Sequence, residues 1–202
     1  MKNLVVLVSF LFVYSFGYSQ ILSDVDYVAP FHDGLAAVKK SNQWAFINED
    51  GEKVIDFRND IVMTSNKDYS DAYPLFNDDR CLIRRLVKGV YYYGYINSLG
   101  EEIIKPQYLN ATKFKNGHAI IIKFAKNVMG NNGVLGKQVV TYKLEEYVID
   151  ISGSLIKYLD NARNSLPSKI KNNTPPSFYS KFITARLIAV KTKNNKWNIY
   201  KF

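Results

Sequence analysis

Cysteine is nearly missing from this chain: Cys81 stands alone among 202 residues. One thiol closes no intrachain disulfide, so the fold has to be held by packing and hydrogen bonds. The flanking run Asp79-Arg80-Cys81-Leu82-Ile83-Arg84 alternates as a strand does. Cys81 therefore reads as a small buried apolar side chain rather than a reactive thiol. Histidine is almost as scarce, with His32 and His118 only. A zinc site needs three or four ligands at recognisable spacing. No HExxH, CxxC or Cys–His cluster is present, so neither a metal nor another cofactor is expected. No G-x-S-x-G elbow marks a serine nucleophile, and Gly153-Ser154 lacks that context. No catalytic, cofactor-binding or metal-binding residue is assigned. Long apolar runs are also absent beyond the first twenty residues, which leaves no other candidate to span a membrane.

The amino end is built differently. Lys2 precedes the uncharged run Leu4–Tyr14, and Gly17 and Ser19 follow two residues apart. A positive residue, a short apolar stretch and small residues at a cut make the plan of a secretory signal peptide. Residues 1–19 are read as that signal, with cleavage before Gln20, and the chain is expected to be secreted or periplasmic. The apolar run is shorter than the roughly 20 residues of a spanning helix. No stable membrane insertion is expected after cleavage, an uncleaved anchor being the alternative.

Acidic residues are outnumbered, 18 against 27 basic, for a formal charge of +9, which becomes +8 once Lys2 leaves with the signal. Such a balance favours anionic partners and solubility. Two basic groups stand out: Arg80, Arg84, Arg85 and Lys88, then Lys191, Lys193, Lys196 and Lys201. Both are read as solvated strand faces and charge-guarded edges.

What the chain has in quantity is self-similarity. A first copy reads Phe31-His32-Asp33-Gly34-Leu35-Ala36-Ala37-Val38, then Trp44-Ala45-Phe46-Ile47 up to Gly51 and Lys53-Val54-Ile55. A second reads Phe76-Asn77-Asp78-Asp79-Arg80-Cys81-Leu82-Ile83, then Tyr93-Gly94-Tyr95-Ile96 up to Gly100 and Glu102-Ile103-Ile104. A third opens at Phe114-Lys115-Asn116-Gly117-His118-Ala119 and, after a long insertion, continues Tyr147-Val148-Ile149-Asp150 to Gly153. A partial fourth spans Phe182–Lys191 and Trp197–Tyr200. In each unit an aromatic anchor precedes a tight turn, as at Asp33-Gly34 or Asn116-Gly117, where glycine accepts a positive φ. Alternating apolar positions then make strands, separated by polar turns at Ser41-Asn42-Gln43, Glu49-Asp50-Gly51 and Ser98-Leu99-Gly100. Each unit is a small antiparallel meander that buries its aromatic face only by stacking on a neighbour. The fold class is all-β: residues 20–202 form one elongated or curved array, with copies near 27–58, 73–108, 111–158 and, in part, 182–202.

This pattern resembles the WG-repeat family of bacterial proteins, whose unit runs F-x-x-G-L-A-x-V … W-G-F/Y-I-D-x-x-G-x-x-V-I-P. The first copy matches through Phe31, Gly34, Leu35, Ala36, Val38, Trp44, Phe46, Ile47, Gly51, Val54 and Ile55, with Ala45 where the family has glycine. The second matches through Phe76, Gly94, Tyr95, Ile96, Gly100, Ile103, Ile104, Pro106 and Tyr108, with Tyr93 for Trp and Asp79 for the first glycine. The third keeps Phe114, Gly117, Ala119, Ile149, Asp150 and Gly153 but has Glu146 at the Trp position. The resemblance implies an all-β hairpin array and no catalytic residues.

Outside the repeat, Met129–Lys137 carries glycines but not the spacing of a phosphate loop, because five residues separate Gly130 from Gly136 and Gln138 follows Lys137. It is read as the flexible tip of a hairpin between Ile120–Phe124 and Gln138–Tyr142. Residues 160–180, with Pro167, Pro175 and Pro176, are read as a long connecting loop. The carboxylate pairs Asp24/Asp26, Asp78/Asp79 and Glu145/Glu146 are the raw material for glycoside hydrolysis. Adjacent residues on a strand point to opposite faces, so the last two pairs do not converge by themselves. Tyr91-Tyr92-Tyr93-Gly94-Tyr95 puts aromatics on both faces of one strand. One face belongs to the core and the other is a candidate platform for sugar rings or peptide side chains. The expectation is a non-enzymatic binding module for a protein or anionic glycan of the cell envelope, with the ligand-binding residues unknown. The alternative is a secreted glycan-directed hydrolase. No nucleic-acid partner is expected, because no nucleic-acid motif accompanies the positive charge. Completion of the last, partial copy by a partner strand is left open.

Overall fold

The computed structural model of the chain describes residues 20–64, 72–133, 136–170 and 174–202. The expected signal segment lies outside the described residues. The first unit contributes β1 (Tyr27–Val28), β2 (Ala36–Lys40), β3 (Gln43–Ile47) and β4 (Lys53–Arg58). The second contributes β5 (Cys81–Val87), β6 (Val90–Ile96) and β7 (Glu102–Tyr108). The third contributes β8 (Asn110–Ala111), β9 (His118–Asn132), β10 (Lys137–Asp150) and β11 (Leu155–Asn164). After a four-residue helix, α1 (Pro167–Ile170), come β12 (Ser180–Phe182), β13 (Leu187–Lys191) and β14 (Trp197–Lys201). These strands make four antiparallel sheets in chain order, β1–β4, β5–β7, β8–β11 and β12–β14. No helix among the described residues is long and apolar enough to cross a membrane.

The repeat seen in the letters recurs in the backbone. In the first three copies the anchor is followed by a two-residue turn closed by an antiparallel bridge: His32 with Leu35, Asn77 with Arg80, Lys115 with His118. Both central residues have positive φ in these three copies, 50° and 75° at Asp33-Gly34, 52° and 57° at Asp78-Asp79, 53° and 76° at Asn116-Gly117. That conformation matches the twist of a tight hairpin. A further element was not legible in the sequence. A short lead strand precedes the anchor in the first three units: β1 pairs with β2, β8 with β9, and in the second unit Ile61 bridges to Ile83; in the fourth, β12 pairs with β13 and ends at Phe182 itself.

Two expected loops are shorter than read. The hairpin expected to loosen between Phe124 and Gln138 keeps its pairing, with Tyr142 opposite Lys126 and Gln138 opposite Asn131. Phe124 and Tyr142 stack with their rings 8° apart in angle, which stiffens the base of the extension. The connecting loop expected from residue 160 begins later, because β11 runs to Asn164 and pairs Arg163 with Leu144. The amides do not break the strand there: Asn161 is buried within it and donates to the Ser180 hydroxyl at 3.0 Å.

Three cores are strung between the four sheets. The first joins Trp44, Phe46 and Ile55 of the first sheet to Cys81, Ile83 and Ile96 of the second. The second joins Leu82, Tyr93, Tyr95 and Ile104 to Ala119, Ile121 and Ile149 of the third sheet. The third joins Ile120, Val148 and Leu159 to Ile188 and Val190 of the fourth. Neighbours such as Cys81 and Leu82, or Ile120 and Ile121, thus serve different cores, one on each face of the strand. A sheet buried on both faces needs continuous rather than alternating apolar runs. That is why Ala119-Ile120-Ile121-Ile122 carries no polar residue. The anchors seat each junction. Phe76 meets Phe46 edge to face with centroids 4.8 Å apart, and Phe114 meets Tyr95 the same way at 4.7 Å. Burial of such side chains contributes roughly 1.5–3 kcal/mol each.

Candidate functional site

The residues singled out in the sequence are dispersed by the fold. Asp26 accepts a hydrogen bond from the Ser41 amide at 2.7 Å and so caps a hairpin turn. Asp78 accepts from the Gly117 amide of the next unit at 2.8 Å, while Asp79 accepts from the Ser98 amide at 2.9 Å. Glu145 accepts from the Tyr147 hydroxyl at 2.8 Å, and burial together with this carboxylate pushes the phenol up to about 12. Glu146 is fully buried on the opposite face. Glu145 and Glu146 thus diverge as strand alternation requires, whereas Asp78 and Asp79 are the two central residues of a turn and not, as expected, neighbours on a strand. His118 packs edge-on against Phe202, and His32 lies beside Asp33. Cys81 is buried, and desolvation pushes its thiol well above the usual range, away from the nucleophilic thiolate. Among the described residues no group of His, Cys, Asp and Glu is placed to hold a metal ion. Gly130, from the glycine-rich run, sits inside β9 opposite Val139.

The tyrosine run divides. Tyr93 and Tyr95 enter the second core, and Tyr91 packs half-buried at its margin. The first basic group divides too. Arg80 is not a solvated edge residue: its side chain is 10% exposed, donating from Nε to the Ile151 carbonyl at 2.9 Å and from Nη1 to Asp79 at 2.7 Å. It was misread because its acceptor lies in a different unit.

Arg84 and Arg85 instead border a cleft of about 600 Å³ at the junction of the first two units. The chain leaves β4 at Arg58 and crosses the edge of β5, where the Asp60 carbonyl accepts from the Arg84 amide at 2.8 Å. Arg58 grips Asp60 with both arms of its guanidinium, Nε to Oδ1 at 2.6 Å and Nη2 to Oδ2 at 2.8 Å. Its third nitrogen donates to the Gly100 carbonyl at 3.2 Å, which fixes the floor of the cleft. The Arg84 guanidinium lies 4.6 Å from the centre of the Tyr91 ring, and Arg85 is paired with Glu102 at the exposed rim. Asn59 and Leu86 complete the lining. With Arg58 held by Asp60 and Arg85 by Glu102, the cleft keeps a net positive charge through Arg84. A planar donor fork next to an aromatic face recognises a carboxylate or phosphate carried on a ring or an apolar frame. Arg84 and Arg85 were flagged in the sequence by charge alone. Arg58 and Asp60 were not, since nothing local distinguishes them from a strand end.

A second polar cluster was half legible. Glu146 occupies the slot that Trp44 and Tyr93 fill in the earlier units. Its Oε1 accepts from Arg163 Nη2 at 2.9 Å and from the Tyr179 amide at 2.7 Å. Arg163 lies 3.9 Å from the centre of the Tyr179 ring and donates to the Ser177 carbonyl at 2.9 Å. A carboxylate in an aromatic slot signals a cation nearby, and the fold supplies it from β11. The cluster ties the segment before β12 to the third sheet, a structural role.

Two segments of the chain, residues 24–44 and 93–123, match the WG containing repeat. The first runs from the lead strand through the Phe31 turn to Trp44. The second begins at Tyr93-Gly94 and passes through the Phe114 turn into β9, so it bridges the second and third sheets. No curated protein matches the chain.

Proposed function

We propose that this chain is an exported binding module that takes an anionic partner of the cell envelope, a carboxylated glycan ahead of an acidic protein, at the Arg58–Arg84–Arg85 cleft. The observation that carries this reading is the cation-lined cleft itself, with Arg84 lying over Tyr91 at the junction of two units. Export rests on the amino-terminal pattern of Lys2, the apolar run and Gly17/Ser19. The hydrolase alternative asks for converging carboxylates, and Asp26, Asp78, Asp79, Glu145 and Glu146 are engaged separately in turns, a phenol contact and a buried ion pair.

The test is a calorimetric titration of the purified protein with an oligouronide and with a neutral glucan of the same length, at low and moderate salt. The uronide is expected to bind and the glucan not, with Arg84→Ala weakening binding about tenfold, the equivalent of one charge-assisted hydrogen bond. Equal binding of both sugars, or an Arg84→Ala protein that binds as well as the parent, would overturn the cleft assignment. Cell fractionation tests the export: recovery in the cytoplasm would overturn it.

A further inference from the structure

The face of the fourth sheet that points away from the third core is not covered as its counterparts are. Ile188 and Val190 of β13 point into that core, so Ala189 and Lys191, with their cross-strand partners Ile199 and Trp197, point the other way. In the repeat, Ile199 stands where Phe46 and Tyr95 stand, and Trp197 where Trp44 and Tyr93 stand. Those four are buried, whereas Ile199 is 64% and Trp197 47% exposed. Lys181 and Lys191 flank the Trp197 ring at 4.9 and 5.9 Å from its centre. The interior junctions show what this position accepts: the anchor phenylalanine of a following unit, Phe76 on Phe46 and Phe114 on Tyr95.

One anchor is likewise only half covered. Phe31 is 48% exposed, whereas Phe76 and Phe114 are buried, and Ile21 and Val28 of the same leading segment are exposed too. Charge separates the two ends in the same sense. Residues 20–56 hold seven acidic and three basic residues, while residues 180–202 hold six basic residues and no acidic one.

We infer that the Trp197–Ile199 face docks the first unit of a second copy of this chain, Phe31 seating on Ile199 as the interior anchors seat on Phe46 and Tyr95. The acidic first unit then lies against the lysines of the last. The contact is heterologous, so each copy added presents another free end, and assembly is open unless it closes into a ring. Opposite charge steers it, and salt weakens it.

Sedimentation velocity on the protein purified from cells expressing the full chain tests this, over a range of concentrations at low and moderate salt. The sedimentation coefficient is expected to rise with concentration, and less so in salt. Phe31→Ser removes the anchor and Ile199→Asp removes its seat. Both positions are exposed, so circular dichroism is expected to show each variant folded. Each variant alone is expected to be monomeric. Mixed, they retain one intact anchor and one intact seat between them, and are expected to form a one-to-one pair and nothing longer. A parent protein that stays monomeric at every concentration would overturn the inference. So would variants that associate as the parent does, or a mixture that fails to pair. A monomer whose Trp197 fluorescence responds to an acidic polymer would assign the face to a different ligand and overturn it equally.

Discussion

Gly94 lies directly beneath the bulge of β7 at Pro106. A Cβ placed on it would stand 2.3 Å from the Ile104 carbonyl oxygen and 2.6 Å from the Pro106 nitrogen. Tyr93 pairs with Tyr108 and Tyr95 with Ile104, so Lys105, Pro106 and Gln107 all face Gly94. In the first unit Trp44 pairs with Arg58 and Phe46 with Ile55, which leaves only Asp56 and Phe57 opposite Ala45. The bulge is one residue shorter where the glycine is replaced. Backbone clash rather than turn conformation therefore keeps glycine at position 94. Gly94→Ala is expected to destabilise the protein by about 1–3 kcal/mol, the usual range for overpacking. Ala45→Gly is expected to cost about 1 kcal/mol or less, through backbone entropy. Urea midpoints for the two variants check the contrast.

The anchors predict a gradient of sensitivity along the chain. Phe114→Ala leaves a cavity against Tyr95 in the second core and is expected to cost about 3–5 kcal/mol. Phe31→Ala, at an exposed copy of the same position, is expected to cost about 0.5 kcal/mol or less. Equal losses at both positions in a urea titration would contradict the junction role given to Phe114.

Glu146 makes a prediction of a different kind. Glu146→Ala leaves Arg163 without its carboxylate partner and the Tyr179 amide without an acceptor. Breaking such a pair from one side is expected to cost about 3–5 kcal/mol. Exchanging both partners, Glu146→Leu with Arg163→Met, is expected to recover most of that loss, because no charge is then left unpaired. The single variant is also expected to be cut faster by protease within residues 174–180, the segment that Glu146 and Arg163 hold.

The turn carboxylates set a pH dependence. Burial raises the Asp79 carboxyl, but hydrogen bonds from Ser98 and the Arg80 guanidinium outweigh it and leave it below the ordinary value. The hydrogen bond from the Ser152 hydroxyl leads, and together with the amides of Ser154, Ser152 and Gly153 it lowers Asp150 against the opposing effect of burial. A carboxyl whose folded pKa lies below its unfolded value of about 3.9 stabilises the fold fully above that value. The contribution is lost as pH falls from about 4 through the folded pKa. Urea midpoints are expected to be flat near neutrality and to drop below about pH 4. Asp79→Asn and Asp150→Asn are each expected to shallow that drop, and a drop of unchanged size in both would contradict the assignment.

Much of this protein was determined in the sequence by itself. The anchor turns, the strands and the all-β class follow from short-range rules. Positive φ at Asp33-Gly34 and Asn116-Gly117 and the period of Trp44 and Phe46 act within a few residues, so local letters suffice to read them. Position 79 was visible as a departure, an aspartate where the pattern asks for glycine. The tertiary structure alone decided what the departures do. Asp79 reaches Ser98, Arg80 reaches Ile151 across 71 positions, and Arg58 reaches Gly100 across 42. Whether Tyr91 borders a cleft while Tyr93 is core, or Ile120 and Ile121 serve different cores, depends on which sheet lies against each face. Strand alternation assigns a side chain to a face but not to a neighbour. The neighbour is set by how successive sheets stack, and so the cationic cleft and the uncovered Trp197 face emerge only when the sheets come together.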